Sequence, residues 1–228
     1  LPLLLNIDTA TEHASVCLSR DEHIISMEES VEQKNHASFI QLAIQQVFTI
    51  ANLELSAVDA ITVTHGPGSY TGLRVGLATA KGLCFALQKP LILVNTLEVM
   101  AQAAIQDNRL SADVDSLLFC PLIDARRLEV FTAIYDASLN VILTPMALVL
   151  DETSFVEQLV SHKIIFSGSG SLKLKNMLTN SNAIFSTVQH NASHLVPEGL
   201  KAYKIGRFSD VAYSEPLYLK EFFNSNKH

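Results

Sequence analysis

No apolar run in the 228-residue chain approaches the roughly twenty residues that a membrane-spanning helix needs. With 48% hydrophobic residues and no such run, the composition is that of a soluble globular protein. The opening Leu1-Pro2-Leu3-Leu4-Leu5 has neither a basic lead nor a small-residue cleavage site, so it is expected to be a buried first strand rather than a signal peptide. The start without Met is expected to reflect a trimmed or partly observed chain. Cysteine is scarce: Cys17, Cys84 and Cys120 are odd in number and far apart, which excludes a disulfide framework and a C-x-x-C zinc site and points to a reducing cytoplasm. Basic charge is also short. Sixteen Lys and Arg against 23 Asp and Glu leave a net charge of -7, the reverse of the footprint of a protein that grips nucleic acid by its phosphates. Recognisable catalytic signatures are missing too. Gly76-Leu77-Ala78-Thr79-Ala80-Lys81-Gly82 lacks the G-K-[ST] ending of a Walker A loop, and Gly68-Ser69-Tyr70 falls outside G-x-S-x-G.

What is present is a repeated pattern. Residues 3–7, 14–19 and 23–28 are short apolar runs separated by polar turns, the signature of a three-strand meander. Phe39, Ile40, Ala43, Ile44, Val47, Phe48 and Ala51 recur at helical spacing and predict a helix over 37–51. A strand at 60–64, a helix at 71–87, a strand at 91–94 and a helix at 96–106 complete βββαβαβα. A second meander at 117–124, 128–135 and 141–150 opens a similar series, with helices at 152–160 and 172–178 and strands at 163–167 and 183–185. Leu3 to Ala10 also resembles Phe119 to Arg126, each an apolar strand closing on Ile-Asp. The chain is therefore expected to hold two related α/β lobes, 1–106 and 107–209, with the segment from about 210 to 228 packing back on the first.

Several features could carry chemistry or contact. In Thr64-His65-Gly66-Pro67-Gly68-Ser69-Tyr70-Thr71-Gly72-Leu73-Arg74 a strand meets a helix through a glycine-rich turn whose residues can accept positive φ and cap the helix. Such a turn can cradle phosphate, can be a tight structural turn, or can be a relic of the first serving as the second. Asp8, followed by Thr9, Ala10 and Thr11, can hold a metal-bound phosphate or can simply close a hairpin; Gly168-Ser169-Gly170 supplies a second glycine turn. Gly72, Gly76, Ala80 and Cys84 form a ridge of small residues at four-residue spacing, suited either to packing within the domain or to an intermolecular helix bundle. His190 and His194 have a metal-compatible i, i+4 spacing, but no Glu follows the first and Pro197 limits a helix there. His36, ahead of the 37–51 helix, suits capping or interface packing.

Ile7-Asp8-Thr9-Ala10-Thr11, Asn35-His36-Ala37-Ser38, the run Gly66 to Arg74, Asp124-Ala125-Arg126 with Glu129-Val130-Phe131, and Pro216 to Lys220 together resemble the TsaB (YeaZ) family. These are bacterial accessory proteins of tRNA threonylcarbamoyladenosine biosynthesis within the glycoprotease-like group. The resemblance spans most of the chain and is weakest between Asp136 and Ala212. It implies an actin-like, Hsp70-like ATPase fold of two lobes. It further implies a noncatalytic subunit that forms a heterodimer with TsaD and a ternary complex with TsaE, or a homodimer when alone. That assembly transfers threonylcarbamoyl to N6 of adenosine 37, with tRNA held mainly by the partner. Aligning the glycine motif with that of TsaD puts Thr96 and Met100 at its metal-binding histidine pair, so no catalytic metal is expected here. The resemblance implies no tightly bound cofactor, with nucleotide possible at the junction with the partner. Asp8, Thr9, Thr11, Gly66, Gly68, Ser69, Gly168 and Gly170 would then be a vestigial nucleotide site. His36, Phe39, Ile40, Ala43, Val47, Gly72, Arg74, Gly76, Ala80 and Cys84 would form the partner interface. The competing expectation is an independent ATP-dependent kinase or metallopeptidase-like enzyme of the same superfamily.

Overall fold

Leu3–Asp8 (β1), Ala14–Arg20 (β2) and His23–Ser30 (β3) form an antiparallel meander in the computed structural model, which describes residues 1–30, 36–110 and 112–220. Ala60–Gly66 (β4) pairs parallel to β1, and Leu91–Asn95 (β5) parallel to β4, giving the order β3-β2-β1-β4-β5. His36–Ala51 (α1) and Tyr70–Leu87 (α2) are the crossovers. Asn35 lies outside the described residues, and His36 is the first residue of α1.

The second half repeats this order. Leu117–Asp124 (β6), Glu129–Tyr135 (β7) and Val141–Val149 (β8) form the meander, Lys163–Ser167 (β9) pairs parallel to β6, and Ala183–Phe185 (β10) parallel to β9. Reversing the order β10-β9-β6-β7-β8 reproduces that of the first sheet. Asp8 and Asp124 occupy equivalent strand ends, opposite Ser15 and Val130. The short resemblance between residues 3–10 and 119–126 is thus a structural duplication. This is the mixed, duplicated sheet of the actin-like ATPase fold.

Helices close both faces of each sheet. Every residue of β1 is buried, as expected of a central strand covered on both sides. The inner faces of α1 and α2 supply Ile40, Ala43, Val47, Leu77, Ala80 and Cys84 to a core with Leu3, Leu5 and Ile7. In the second half Val156–Ser161 (α4) and Ser171–Lys175 (α5) do the same. The remaining faces are closed by exchange. Thr96–Asp107 (α3) follows the first sheet but packs Leu97, Met100, Ala101, Ala104 and Ile105 against Leu117, Phe119 and Ile123 of the second. Val196–Lys204 (α6) follows the second sheet but packs Val196, Leu200 and Ala202 against Leu4, Ala60, Ile92 and Val94 of the first.

Residues 192–204, expected within the lobe 107–209, bury their apolar face on the first sheet. Pro197 stands in the first turn of α6, where a missing N–H costs no intrahelical bond, and no α-helix carries His190 and His194. Beyond α6 the chain runs along the first lobe. Ser209 N donates to Leu91 O at 2.8 Å, Lys81 Nζ donates to Ala212 O and Ser214 O at 3.1 and 2.9 Å, and Leu217 N donates to His65 O at 2.7 Å. Lys220 then pairs with Glu129 of the second lobe at 2.6 Å. Residues 221–228 lie outside the described residues. Among the described residues, no helix is long and apolar enough to cross a membrane.

Candidate functional site

Each glycine turn packs beside the end of its own lobe's first strand, at Asp8 and at Asp124. Asp8 is fully buried. Its Oδ1 accepts from Ala10 N at 3.0 Å and Thr64 Oγ1 at 2.9 Å, while Oδ2 lies 3.4 Å from His190 Nε2. Burial lowers the pKa of His190 and so does His13; the Asp8 carboxylate offsets part of this. Thr11 Oγ1 lies 3.5 Å from His190 Nε2, and its carbonyl 3.0 Å from His36 Nε2. His190 therefore lies against the second oxygen of the Asp8 carboxylate.

The first glycine turn packs closely against backbone. Ser69 caps α2 by accepting from Gly72 N at 3.2 Å, and its own amide donates to Ala10 O at 2.7 Å. A Cβ on Gly68 would stand 2.2 Å from Ala10 O, and one on Gly72 would stand 2.1 Å from Thr9 O. Thr9 Oγ1 closes the contact by donating to Gly72 O at 2.7 Å. Gly66, at φ +128°, lies under the Leu217 carbonyl, 2.5 Å from where its Cβ would be. The second turn repeats this arrangement. Gly168, at φ +90°, leaves room for the Met100 methyl and the Leu122 carbonyl, and Gly170 N donates to Leu122 O at 2.8 Å. Ser169 Oγ accepts from Asp124 N at 3.0 Å.

Of the residues expected to cradle a nucleotide phosphate, Asp8, Thr9, Gly68 and Ser69 lie together around Ala10, and Gly168 and Gly170 pack on Leu122 in the second turn. Asp8 is fully buried. Asp124, the equivalent of Asp8, remains about half exposed and pairs with Lys173 at 2.6 Å. Burial alone would raise its carboxyl pKa, but the Lys173 ammonium and the Arg126 amide hold it below the usual carboxylate value. Thr96 and Met100 are buried at the start of α3. His190 and His194 do not share a helical face. His190 meets Asp8, whereas His194 Nδ1 accepts from Asn191 N at 3.1 Å in a capping box.

The expected interface residues divide. Gly72, Gly76, Ala80 and Cys84 are all buried, and a Cβ on Gly76 would stand 2.3 Å from Thr9 Oγ1. Ile40, Ala43 and Val47 face the sheet, Phe39 is half-buried against the same core, and His36 is enclosed beside Thr11. The small-residue ridge therefore packs within the domain, the first of the two placements its spacing allows. Only Arg74 of that set is exposed. The outward row of α2 is instead Arg74, Ala78 and Gly82, followed by Phe85, which is 75% exposed. Ala78, Thr79, Gly82 and Leu83 face Gln41 of α1 across a shallow groove, and Leu42 and Ile50 lie exposed on α1. Sequence reasoning missed this row, although Ala78 and Gly82 repeat the same four-residue spacing.

Comparison with known proteins fits this architecture. Residues 24–220 match the family model described as TsaD, tRNA N6-adenosine threonylcarbamoyltransferase. The chain is 29% identical over 224 residues to the tRNA threonylcarbamoyladenosine biosynthesis protein TsaB of Escherichia coli K12, covering 95% of this chain and 94% of that protein. It is 37% identical over 131 residues to the Haemophilus influenzae TsaB, covering 56% of this chain and 51% of that one. The solved structure of YeaZ from Pseudomonas aeruginosa superposes with a TM-score of 0.80 at 25% identity, covering 96% of this chain and all of that chain. A polyphosphate/ATP-glucomannokinase from Arthrobacter shares the fold alone, with a TM-score of 0.51 at 13% identity over 91% of this chain and 99% of that one. The family model spans most of the chain, so the chain belongs to the tRNA N6-adenosine threonylcarbamoyltransferase (TsaD) family, and within it its similarity is to the TsaB (YeaZ) proteins.

Proposed function

We propose that this chain serves tRNA threonylcarbamoyladenosine biosynthesis as a noncatalytic, activating subunit. It docks on a TsaD-type threonylcarbamoyltransferase through the outer face of α1 and α2, and the pair recruits a TsaE-type ATPase. The observation that carries this reading is the enclosed Asp8, whose oxygens meet Ala10, Thr64 and His190 where a nucleotide-dependent enzyme would need an open carboxylate. The outward face of the same two helices presents Leu42, Ile50 and Phe85 around a groove of small residues, a composition suited to protein contact. The same face would serve a homodimer when the partner is absent, so the two assemblies compete. A net charge of -7 favours a division of labour in which the partner holds most of the tRNA.

The independent-enzyme reading has less support. A kinase would need Asp8 to reach a metal-bound phosphate, and a metallopeptidase would need imidazoles at positions 96 and 100, which are Thr and Met. The deciding experiment is reconstitution of tRNA modification from the purified partners, ATP, threonine, bicarbonate and tRNA. Omitting this chain should remove most of the product, and a Gly82→Arg variant, which fills the outward groove from a position open to solvent, should do the same. Unchanged product yield without the chain would overturn the proposal.

A further inference from the structure

Arg74 stands one helical turn before Ala78, at the end of the outward row of α2. Its guanidinium carbon lies 3.9 Å from the centroid of the Tyr70 ring, and its Nε donates to the Tyr218 hydroxyl at 3.1 Å. The two tyrosine rings are 5.6 Å apart and tilted by 36°. Tyr218 arrives from the C-terminal segment that Lys81 and Leu217 hold along the first lobe, so the cluster joins two distant parts of the chain. All three side chains remain open to solvent, with Tyr70 at 40% and Tyr218 at 38% exposure.

Fastening the C-terminal segment does not require this arrangement. The two Lys81 bonds and the Leu217 amide already hold it, and a neutral side chain at position 74 could pack on Tyr70. What the cluster adds is a cation whose contacts are neutral. The groups that touch Arg74 are phenols and a ring face, and among the described residues no carboxylate lies within ion-pair distance of it. Stacking and the Nε bond fix the plane of the guanidinium before any partner arrives, so little rotamer entropy is left to lose on binding. A guanidinium so held offers in-plane donors that match a carboxylate. Tyrosine and arginine are also the residue types that dominate interface hot spots.

RNA is the less favoured occupant. Phosphate-backbone binding uses several cations along a track, whereas Arg74 is the single cation of this cluster on a chain of net charge -7. The cluster is instead continuous, through Ala78 and Gly82, with the groove between α1 and α2. We propose that Arg74, held by Tyr70 and Tyr218, is a pre-organised anchor that receives an acidic side chain of the protein docked on the α1–α2 face. This rests on the docking function proposed above and adds the chemistry of the opposing surface.

The test is a binding titration of the full chain with the purified TsaD-type subunit, at low and at physiological salt, using Arg74→Gln, Arg74→Lys, Tyr218→Phe and Gly82→Arg. Arg74→Gln should weaken binding about tenfold, equivalent to a hot-spot loss of about 1.4 kcal/mol, and should flatten the salt dependence. Arg74→Lys keeps the charge without the planar fork and should recover only part of the affinity, and Tyr218→Phe should give an intermediate loss. If Gly82→Arg abolishes binding while Arg74→Gln leaves both affinity and salt dependence unchanged, the anchor is refuted and the docking face stands. If Gly82→Arg binds normally, the docking function itself fails. Binding of a short single-stranded RNA by the wild-type chain but not by Arg74→Gln would also overturn the anchor, by making Arg74 an RNA contact.

Discussion

Replacing Gly72 by alanine asks directly whether the ridge of α2 faces its own domain. The new methyl would stand 2.1 Å from the Thr9 carbonyl oxygen, whereas an uncompressed carbon–oxygen contact needs roughly 3.3 Å, so something must move by about 1 Å. The obstacle is backbone, and it is tethered on three sides. Ala10 N donates to Asp8 Oδ1, Ala10 O accepts from Ser69 N at 2.7 Å, and Thr9 Oγ1 donates to Gly72 O at 2.7 Å. Overpacking of this kind costs about 1–3 kcal/mol, and each buried hydrogen bond opened by the shift adds about 1 kcal/mol. The better helix propensity of alanine returns at most about 1 kcal/mol. The net expectation is a loss of about 3 kcal/mol, or a fall of about 6–12 °C in Tm for a chain of this size. Gly82, on the opposite face, supplies the control: its Cβ would meet nothing within 4 Å. Gly82→Ala should therefore raise stability by about 0.5–1 kcal/mol. Gly76→Ala, which presses on the shorter Thr9 hydroxyl, should fall between the two at a loss of about 1–2 kcal/mol. Thermal and urea unfolding of the three variants checks the series. A Gly72→Ala midpoint at or above that of the unmodified protein would refute the inward orientation of the ridge.

Two further outcomes follow from the enclosed centre. Burial lowers the pKa of His190, His65 and His194, so the folded state resists protonation at all three, although Asp8 partly offsets this at His190 and the Val94 and Asn191 carbonyls do so at the other two. The unfolded chain takes up these protons near pH 6.5; stability is thus full above about pH 6.5 and is lost as pH falls from there towards the lower folded-state values. Urea midpoints should decline between about pH 7.5 and about pH 5.5, and the decline should shrink in His190→Gln; a midpoint that does not change over that range would contradict the account. Thr64→Val keeps the shape of a buried side chain but removes the donor that Asp8 Oδ1 receives at 2.9 Å. A charge-assisted bond lost from a buried carboxylate should cost about 1.5–3 kcal/mol in urea unfolding, and an unaltered midpoint would show that Asp8 does not depend on Thr64.

Much of this architecture was legible because its signals are local. The β-branched runs and polar turns of the two meanders, the helical spacing in α1 and the cap at Ser69 all act over a few residues, and each appears where expected. The repeat was legible as well, since Ile7-Asp8 and Ile123-Asp124 close equivalent strands. α6 was not, because a nine-residue helix beginning at Val196 has little periodicity of its own and Pro197 reads as a breaker unless the helix start is known.

The candidate site was legible only in part. Asp8, the glycine turns and Arg74 are marked in the sequence by residue type and position. The sequence could not say what would stand against them. Two small-residue rows on α2 have the same period, and nothing within the helix tells which one is inside. Thr9, 63 residues before Gly72, makes that choice through one hydrogen bond and one backbone contact. His190 likewise reaches Asp8 only because the chain returns to the first sheet after β10. Residue pattern alone determined the two-lobed α/β fold, the paired strand-end aspartates and the glycine turns, because each is written in short-range spacing. Tertiary structure alone decided that Gly68 and Gly72 pack on Ala10 and Thr9 and that α2 turns Arg74, Ala78 and Gly82 outward, because both depend on contacts between residues far apart in the chain.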